Sequence, residues 1–190
     1  DCLQLKKSTT IHNQESKAEN EFFNYKSGDY LRLYETIKVT IDYFIATKKS
    51  SLLATISSLN KDVNTLLVHN TFSSNEDIKT ANNEHQKLYW CLCPTANLYI
   101  EKTLPDINLL ASNNCNLTLG TDSLASNSML SIINEINTIL KHQPNIPLEL
   151  LLNAATYNGA KFLGIENQFG LLEKNKKCGI NLIEGESGNY

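Results

Sequence analysis

The stretch TLLVHNTFSSNEDIKTANNEHQKLYWCLCP, residues 65–94, contains a complete strand–helix–strand unit. Two short, continuous apolar runs, 65–68 and 88–92, are typical of strands that are buried on both faces. The polar stretch 74–83 between them predicts a helix, and Ser74 is placed to cap its first turn. Two buried strands joined by a helix predict a βα unit of a parallel sheet.

The same alternation continues on both sides of this unit. Further strands are predicted at Thr9 to His12 and at 117–119, whereas 39–50 is ambiguous. The other helices are predicted over 15–25, 30–38, 50–59, 106–112, 128–141 and 148–163. Four strands separated by helices predict an α/β fold, and right-handed crossovers then place the four carboxyl ends at one edge of the sheet. A pair of short strands is predicted over 169–183.

Length and composition limit the classes of protein that fit. The 190 residues are enough for one domain, or for one domain with a small appendage. The hydrophobic fraction of 41%, the charged fraction of 19% and the net charge of −3 argue against disorder and against a nucleic-acid partner. Arg32 is the only arginine, so the side chain best suited to bind phosphate is nearly missing.

The cysteines and the N-terminal residues predict a soluble, cytoplasmic protein without a membrane partner. No apolar run is long enough to span a bilayer, and the first residues lack the apolar core of a secretory signal. Cys2, Cys91, Cys93, Cys115 and Cys178 are odd in number, and the middle three lie in or beside apolar segments, which indicates reduced, buried thiols. One residue separates Cys91 from Cys93, which favours packing over a zinc site.

Polar side chains follow the predicted strands at corresponding places. The first strand ends at His12, the second at His69 and the fourth near Asp122, and Cys93–Asn97 follow the third. Because these strand ends share one edge, the two imidazoles and the carboxylates of Glu15 and Asp122 are expected to lie close together. Imidazole nitrogen and carboxylate oxygen are ligands for a divalent metal, so the sequence indicates a metal site.

Each of these residues also has a structural interpretation. A histidine at a strand end is more often a hydrogen-bonded structural group than a ligand. Asp122 is placed where it could cap a following helix, and Glu15 where it could interact with a helix dipole. The residues alone leave the metal site and the structural interpretation about equally open.

Several motifs, in order and at similar intervals, resemble those of one enzyme family. TIHNQES, LLVHN, CPTANLYI, LTLGTDSLASN and LLLNAATYNGAKFLGIENQFGLLEKNKKCGINLI are similar to the later-strand and closing segments of the amidohydrolase superfamily. The resemblance is to the branch that contains cytosine deaminase, guanine deaminase and chlorohydrolase-like enzymes. It covers nearly the whole chain, and GTDSLASN is its most specific part.

The resemblance implies a fold and its division into domains. The chain would be the C-terminal half of a (β/α)8 TIM-like barrel, with four parallel strands that correspond to strands five to eight. Residues 1–165 would form this partial barrel. Residues 166–190 would return to an accessory β-sandwich as a short C-terminal β-hairpin.

The resemblance also implies site residues and a reaction. It implies that His12 is a metal ligand, that Glu15 is the proton shuttle, and that His69 touches the substrate or the attacking water. Asp122 would bind the metal and accept a proton from the water. One divalent metal, zinc with iron as the alternative, would then support hydrolysis of a C–N or C–Cl bond in a small heterocyclic substrate, and deamination of a nitrogen heterocycle is the expected activity.

Two departures from the family pattern lead to further expectations. The His-x-His pair of the family's first strand does not occur in these 190 residues, and His85 and His142 lie in polar stretches that make them poor substitutes. The family's Gly-Lys-x-Ala-Asp is replaced by Asn175–Gly179. We therefore expect a C-terminal fragment that binds metal weakly, catalyses no reaction alone and self-associates through its open sheet edges, with a dimer as the assembly considered for the whole protein.

Two other hypotheses belong to different classes. In the first, the chain is a non-catalytic α/β interaction domain whose histidines and aspartate are structural. In the second, the half-barrel completes its site by pairing with another chain.

Overall fold

The computed structural model describes residues 7–177 and 179–181. Its sheet consists of four parallel strands in the order β1-β2-β3-β4, so strands that follow each other in the chain are neighbours in the sheet. The strands are β1 (Thr9–Asn13), β2 (Thr65–His69), β3 (Leu88–Leu92) and β4 (Asn116–Leu119). The four predicted strands and their parallel direction are confirmed, and the arrangement is that of half a (β/α)8 barrel.

Helices connect the strands throughout the described part of the chain. Helices α1 (Lys17–Tyr25), α2 (Asp29–Thr36) and α3 (Ser51–Ile56) lie between β1 and β2, and α4 (Asn75–Glu84) follows β2. Helices α5 (Pro94–Glu101) and α6 (Ile107–Ser112) precede β4, and α7 (Ile132–His142), α8 (Leu148–Ala155) and α9 (Tyr157–Leu163) follow it. None of these helices is long and apolar enough to cross a bilayer.

Two helical predictions differ from the structure. Helix α5 was not predicted, yet Pro94 occupies its first turn, where proline is favoured because the missing N–H has no partner there. The single helix predicted over 148–163 is two helices, because the backbone of Thr156 leaves the helical region at φ −128° and ψ −80°.

The two faces of the sheet are packed differently. Leu67, Trp90 and Leu117 are aligned across β2, β3 and β4 and belong to the larger core, which is formed with the helices. Val68 and Cys91 point to the opposite face, where they form a smaller buried cluster with two further residues, Cys93 and Ala96. Because His12 pairs with Val68 in the register, His12 lies above this second face.

The predicted C-terminal hairpin is wrong for the residues that the structure describes. Residues 169–177 and 179–181 contain turns and irregular backbone but no strand, and the rest of the predicted pair, Cys178 with 182–183, lies outside the described residues. The predicted turn at Asn175 is present, with φ of 72°. An isolated two-stranded hairpin is marginal in water, and the described residues offer it no further strands to pack against. The division at 165/166 stays a prediction.

The outer edge of β4 is covered by side-chain and helix contacts. The Asn158 Nδ2 group donates a hydrogen bond of 2.8 Å to the backbone carbonyl of Leu117. Helices α8 and α9 both pack against β4. On the other side of the sheet, no strand among the described residues pairs with the outer edge of β1.

Stability is expected to fall in mild acid because His85 is buried and neutral. Its Nδ1 accepts a hydrogen bond of 3.2 Å from the Lys87 backbone N–H, and its Nε2 lies 3.3 Å from Thr65 Oγ1. Burial is the largest influence and lowers the pKa of His85 below its usual value, although backbone hydrogen bonding acts in the opposite direction. The unfolded chain therefore binds the proton first, and the free energy of unfolding is expected to decrease by about 1 kcal/mol as pH falls from about 7.5 to about 5.5.

Urea unfolding at the two pH values measures this decrease. The His85→Gln variant removes the titrating group, so its decrease should be smaller by about 1 kcal/mol. His142→Gln is the matched control, because His142 is exposed on α7. An equal decrease in the wild type and in His85→Gln would contradict the prediction.

Candidate metal centre

The predicted site residues lie at the carboxyl ends of three strands. His69 is the last residue of β2, His12 is the next-to-last residue of β1, and Glu15 follows two residues after β1. Asp122 follows three residues after β4. The parallel register brings the two histidine rings to 5.3 Å between centroids, at 53° to each other.

Three of these residues form a cluster of potential metal ligands. The ligand atoms of Glu15, His69 and Asp122 all lie within 4.8 Å of one another. The His69 Nε2 atom is 3.3 Å from Glu15 Oε1 and 3.9 Å from Asp122 Oδ2. The imidazole is fully buried, whereas the side chains of Glu15 and Asp122 are 35% and 19% exposed. The imidazole of the cluster is therefore inaccessible to solvent, whereas the two carboxylates are partly accessible.

His12 lies beside this cluster rather than in it. Its side chain is on the exposed side of β1, with its ring next to that of His69. Its ligand atoms do not join the converging set of Glu15, His69 and Asp122. The role of His12 as a metal ligand stays a prediction.

Left-handed backbone is concentrated at the site. Gln14, His69, Asn70 and Asp122 have φ values of 49°, 70°, 48° and 57°, in a region that non-glycine residues rarely adopt. Such conformations cost on the order of 1–3 kcal/mol each, persist only where the surrounding structure enforces them, and are common at functional sites. They turn the chain sharply at the strand ends and direct His69 and Asp122 towards the same point.

Asp122 and Glu15 are not used as helix caps. Helix α7 begins ten residues after Asp122 and is capped by Ser131, and α1 is capped by Ser16, which follows Glu15. Asp122 instead accepts hydrogen bonds from the Ser123 backbone N–H, at 2.7 Å, and from Ser126 Oγ, at 2.9 Å. Asp122 therefore does not have the capping role considered for it, whereas Glu15 lies directly before the N-terminal cap of α1.

The electrostatic setting favours a neutral imidazole. Burial is the largest influence and lowers the pKa of His69, and the nearby His12 lowers it further. The carboxylates of Glu15 and Asp122 act in the opposite direction. A neutral ring keeps one unprotonated nitrogen, which is the form that binds a metal ion.

The donor set fits a borderline divalent ion. Neither ring nitrogen of His69 has a hydrogen-bond partner among the described residues, although both are buried. An unpartnered imidazole nitrogen that faces two carboxylate oxygens offers the mixed N/O ligands that zinc and iron accept. The cluster alone does not distinguish between these two metals.

Gly120, directly after β4, allows the segment that leads to Asp122 to approach the end of β3. A Cβ atom at Gly120 would lie 2.9 Å from the Cys91 sulfur and 3.3 Å from the Cys93 sulfur. Both thiols are buried on the inner face, as the packing interpretation of Cys91-x-Cys93 predicted. Any larger residue at position 120 would push β4, and with it Asp122, away from β3.

Sequence reasoning missed Glu135, which supports the loop carrying Asp122. This fully buried carboxylate on α7 accepts hydrogen bonds from the Thr95 backbone N–H at 2.9 Å and from Asn127 Nδ2 at 2.7 Å. Asn127 Nδ2 also donates to the carbonyl of Thr121, at 2.7 Å. Glu135 lies four residues before the buried Ile139, and this helical spacing is the signal that could have placed it on the inner side of α7.

Comparison with known proteins identifies a family and several relatives. The sequence model of a family described as the amidohydrolase family matches residues 5–189. An adenosine deaminase from Helicobacter pylori is 27% identical over 178 residues, which are 91% of this chain and 39% of that protein. A 5'-deoxyadenosine deaminase from Methanobrevibacter smithii is 28% identical over 174 residues, which are 87% of this chain and 39% of that protein.

Solved structures show the same fold. The crystal structure of Helicobacter pylori aminofutalosine deaminase superimposes with a TM-score of 0.76 at 27% identity, covering 89% of this chain and 42% of that one. Its complex with methylthio-coformycin gives a TM-score of 0.74 at 27% identity, with coverage of 88% and 40%. The chain thus spans about two fifths of the length of the relatives it matches.

Proposed function

Because the chain belongs to the amidohydrolase family, we propose that it supplies one half of a metal-dependent hydrolase that deaminates an adenine nucleoside. The observation that carries the proposal is the convergence of Glu15, His69 and Asp122 at the carboxyl ends of the parallel strands. The substrate class is proposed from two relatives, named for deamination of adenosine and of 5'-deoxyadenosine, both of which are adenine nucleosides.

The proposal assigns His12 and Asp122 as the metal ligands of this chain. Asp122 already belongs to the converging cluster, and the His12 ring lies beside the His69 ring of that cluster, 5.3 Å away between centroids. The metal would be zinc, with iron as the alternative, and when bound it would activate water as a nucleophile at neutral pH.

The remaining residues of the cluster would move and hold protons. The Glu15 side chain is 35% exposed at the opening of the site, so its carboxyl group can reach a departing amino group and protonate it, which turns a poor leaving group into ammonia. Asp122 Oδ2 faces the interior of the site and would take up the proton lost by water. His69, buried between both carboxylates, would contact the substrate or the attacking water.

The chain lacks two of the metal ligands that the proposed mechanism needs. No His-x-His pair occurs in its 190 residues. We propose that two further metal ligands are contributed from outside this sequence, that residues 1–165 form the barrel part, and that 166–190 lead to the accessory domain. A cytoplasmic location is part of the proposal, in keeping with the free thiols of Cys91, Cys93 and Cys115.

Calorimetric titration of zinc into the 190-residue chain tests the ligand assignment. With an incomplete ligand set we expect a Kd of about 1 µM or weaker, which corresponds to about 8 kcal/mol. Complete structural zinc sites reach about 10–16 kcal/mol. Asp122→Asn should remove the measurable heat of binding, because an amide is a far weaker ligand than a carboxylate.

Asp106→Asn is the matched control for this titration. Asp106 caps α6 by accepting from the Leu109 backbone N–H, and asparagine is an equally good cap, so zinc binding should not change. Nanomolar affinity of the wild-type chain would show that it contains a full ligand set. Equal affinity of Asp122→Asn and the wild type would overturn the assignment of Asp122.

A further inference from the structure

A completely buried glutamine directly precedes Glu15. Gln14 follows β1 without a gap, and its φ of 49° lies in the left-handed region that non-glycine residues rarely adopt. Glutamine is mostly found at the surface, and a buried amide needs hydrogen-bond partners for both its oxygen and its nitrogen. The surroundings of Gln14 must therefore hold both its backbone conformation and its side chain.

The Gln14 amide is bound at both ends. Its Oε1 atom accepts a hydrogen bond from Ser73 Oγ, in the loop between β2 and α4. Its Nε2 group donates to Asn20 Oδ1, on α1, at 3.0 Å. The backbone carbonyl of Gln14 accepts from the Thr71 backbone N–H at 3.1 Å. Gln14 therefore links helix α1 to the chain that follows β2, and its side chain cannot rotate without breaking a hydrogen bond.

Asn20 extends these links to a third element. Its Oδ1 atom also accepts from the backbone N–H of Ser51, the first residue of α3, at 3.0 Å. Ser51 is completely buried, and its Oγ donates to Asn13 Oδ1 at 3.3 Å. The end of β1 is thus joined to α1, to α3 and to the loop after β2 by polar groups. Such hydrogen bonds are stronger in a buried environment than in water.

Glu15 begins where this network ends. Its backbone N–H donates to Glu19 Oε2 at 3.1 Å, and its Oε1 atom lies 3.3 Å from His69 Nε2. The Glu15 side chain is 35% exposed, so packing restricts it only in part. The place of its backbone, which Gln14 determines, therefore decides what the carboxylate can reach.

We propose that Gln14 is a positioning residue that holds Glu15 at the site. The two hydrogen bonds of its amide stabilise the left-handed conformation, and this conformation sets the direction in which the chain leaves β1. Gln14 is itself buried, so it acts through Glu15. The effect on catalysis rests on the proposed function, whereas the effect on the position of Glu15 does not.

The Gln14→Met variant tests the proposal by enzyme kinetics. Methionine has a similar length and no branch at Cβ, but it has no N–H donor and only a weak acceptor. In the complete protein that contains these residues, with adenosine as substrate, kcat should fall by about 10²-fold, a loss that a misplacement of about 1 Å can cause. KM should change by less than about threefold, because the proposed proton transfer by Glu15 stabilises the transition state and not the bound substrate.

Two substitutions at Asn20 separate the hydrogen bonds from general stability. Asn20→Leu removes the acceptor of Gln14 Nε2 and should lower kcat by about tenfold or more, whereas Asn20→Asp keeps an acceptor oxygen and should retain kcat within about threefold. Asn64→Ala is the control. Asn64 lies directly before β2, at the opposite end of the strand, and donates to the carbonyl of Phe162 at 2.9 Å, so its loss should leave kcat unchanged.

Crystal structures of the wild type and of Gln14→Met, both prepared without metal, provide a measurement that does not depend on activity. We expect the Cα atom of Glu15 to shift by about 1 Å or more relative to β1 and β2 in the variant. An unmoved Glu15 would overturn the proposal, and so would an unchanged kcat in folded Gln14→Met or an equal kcat in Asn20→Leu and Asn20→Asp.

Two further outcomes are also decided by these experiments. If Gln14→Met does not fold, the kinetics and the crystal structure of Asn20→Leu take its place, because Asn20 is only partly buried. A wild-type protein that does not deaminate adenosine would contradict the proposed function. The crystallographic comparison would then decide by itself whether Gln14 positions Glu15.

Discussion

Replacing Asp122 with asparagine is expected to lower kcat/KM for the proposed adenosine deamination by about 10²- to 10⁴-fold in the complete protein that contains these residues. The loss corresponds to about 3–5 kcal/mol of transition-state stabilisation. Asparagine cannot take up the proton lost by water, and it lacks the charge that binds a divalent cation. The conversion of the 6-amino to the 6-oxo purine changes the ultraviolet spectrum, so the rate can be followed directly.

The substitution is expected to leave the fold unchanged. Asparagine tolerates the left-handed conformation found at position 122, and its amide oxygen can still accept from the Ser123 backbone N–H. Asp106→Asn, which changes an exposed helix cap, should retain wild-type activity. An Asp122→Asn enzyme that keeps activity within about tenfold of the wild type would remove Asp122 from the mechanism.

Replacing Glu135 with alanine is expected to destabilise the chain by about 3–5 kcal/mol. The change leaves the Thr95 backbone N–H without its acceptor and removes one of the two acceptors of Asn127 Nδ2, in a place without solvent. It also removes a negative charge from the N-terminal end of α5, where the helix dipole favours one. The free energy of unfolding of such domains is about 5–15 kcal/mol, so the substitution would remove a large part of it.

Urea unfolding measures this effect, and the chain provides a matched control. Glu149 lies in the first turn of α8 as Glu135 lies in that of α7, but it is exposed, so Glu149→Ala should change the free energy of unfolding by less than about 0.5 kcal/mol. Glu135→Gln keeps one acceptor oxygen, so its loss of unfolding free energy should lie between those of Glu135→Ala and Glu149→Ala. A loss of less than about 1 kcal/mol in Glu135→Ala would show that the buried carboxylate does not hold the Asp122 loop in place.

The parallel sheet could be predicted because its signal is local. Continuous apolar runs at 65–68 and 88–92 have no polar face, so they fit only strands covered on both sides, and all residues of β3 are indeed buried. The site could be predicted for a related reason. Polar residues directly after such strands must gather at one edge, and Glu15, His69 and Asp122 do so.

The features that could not be predicted depend on contacts between distant parts of the chain. The position of His12 is an example, because strand alternation fixes the face to which it points but not whether anything covers that face. The C-terminal strands are another, because a hairpin without a supporting sheet is not stable on its own. Glu135 was missed although its spacing to Ile139 was visible, because a charged residue is normally assigned to the exposed face of a helix.

The hydrogen bond from Asn158 to the carbonyl of Leu117 makes the outer edge of β4 less accessible to another strand than the outer edge of β1. An incoming strand would have to displace Asn158 and the packed helices to reach β4, whereas it would meet no described strand at β1. Linear polymers that grow by strand addition need two receptive ends on every subunit. With the edge of β4 covered, we expect any strand pairing between copies of the described part of the chain to use β1 alone, which would give closed pairs and not fibres.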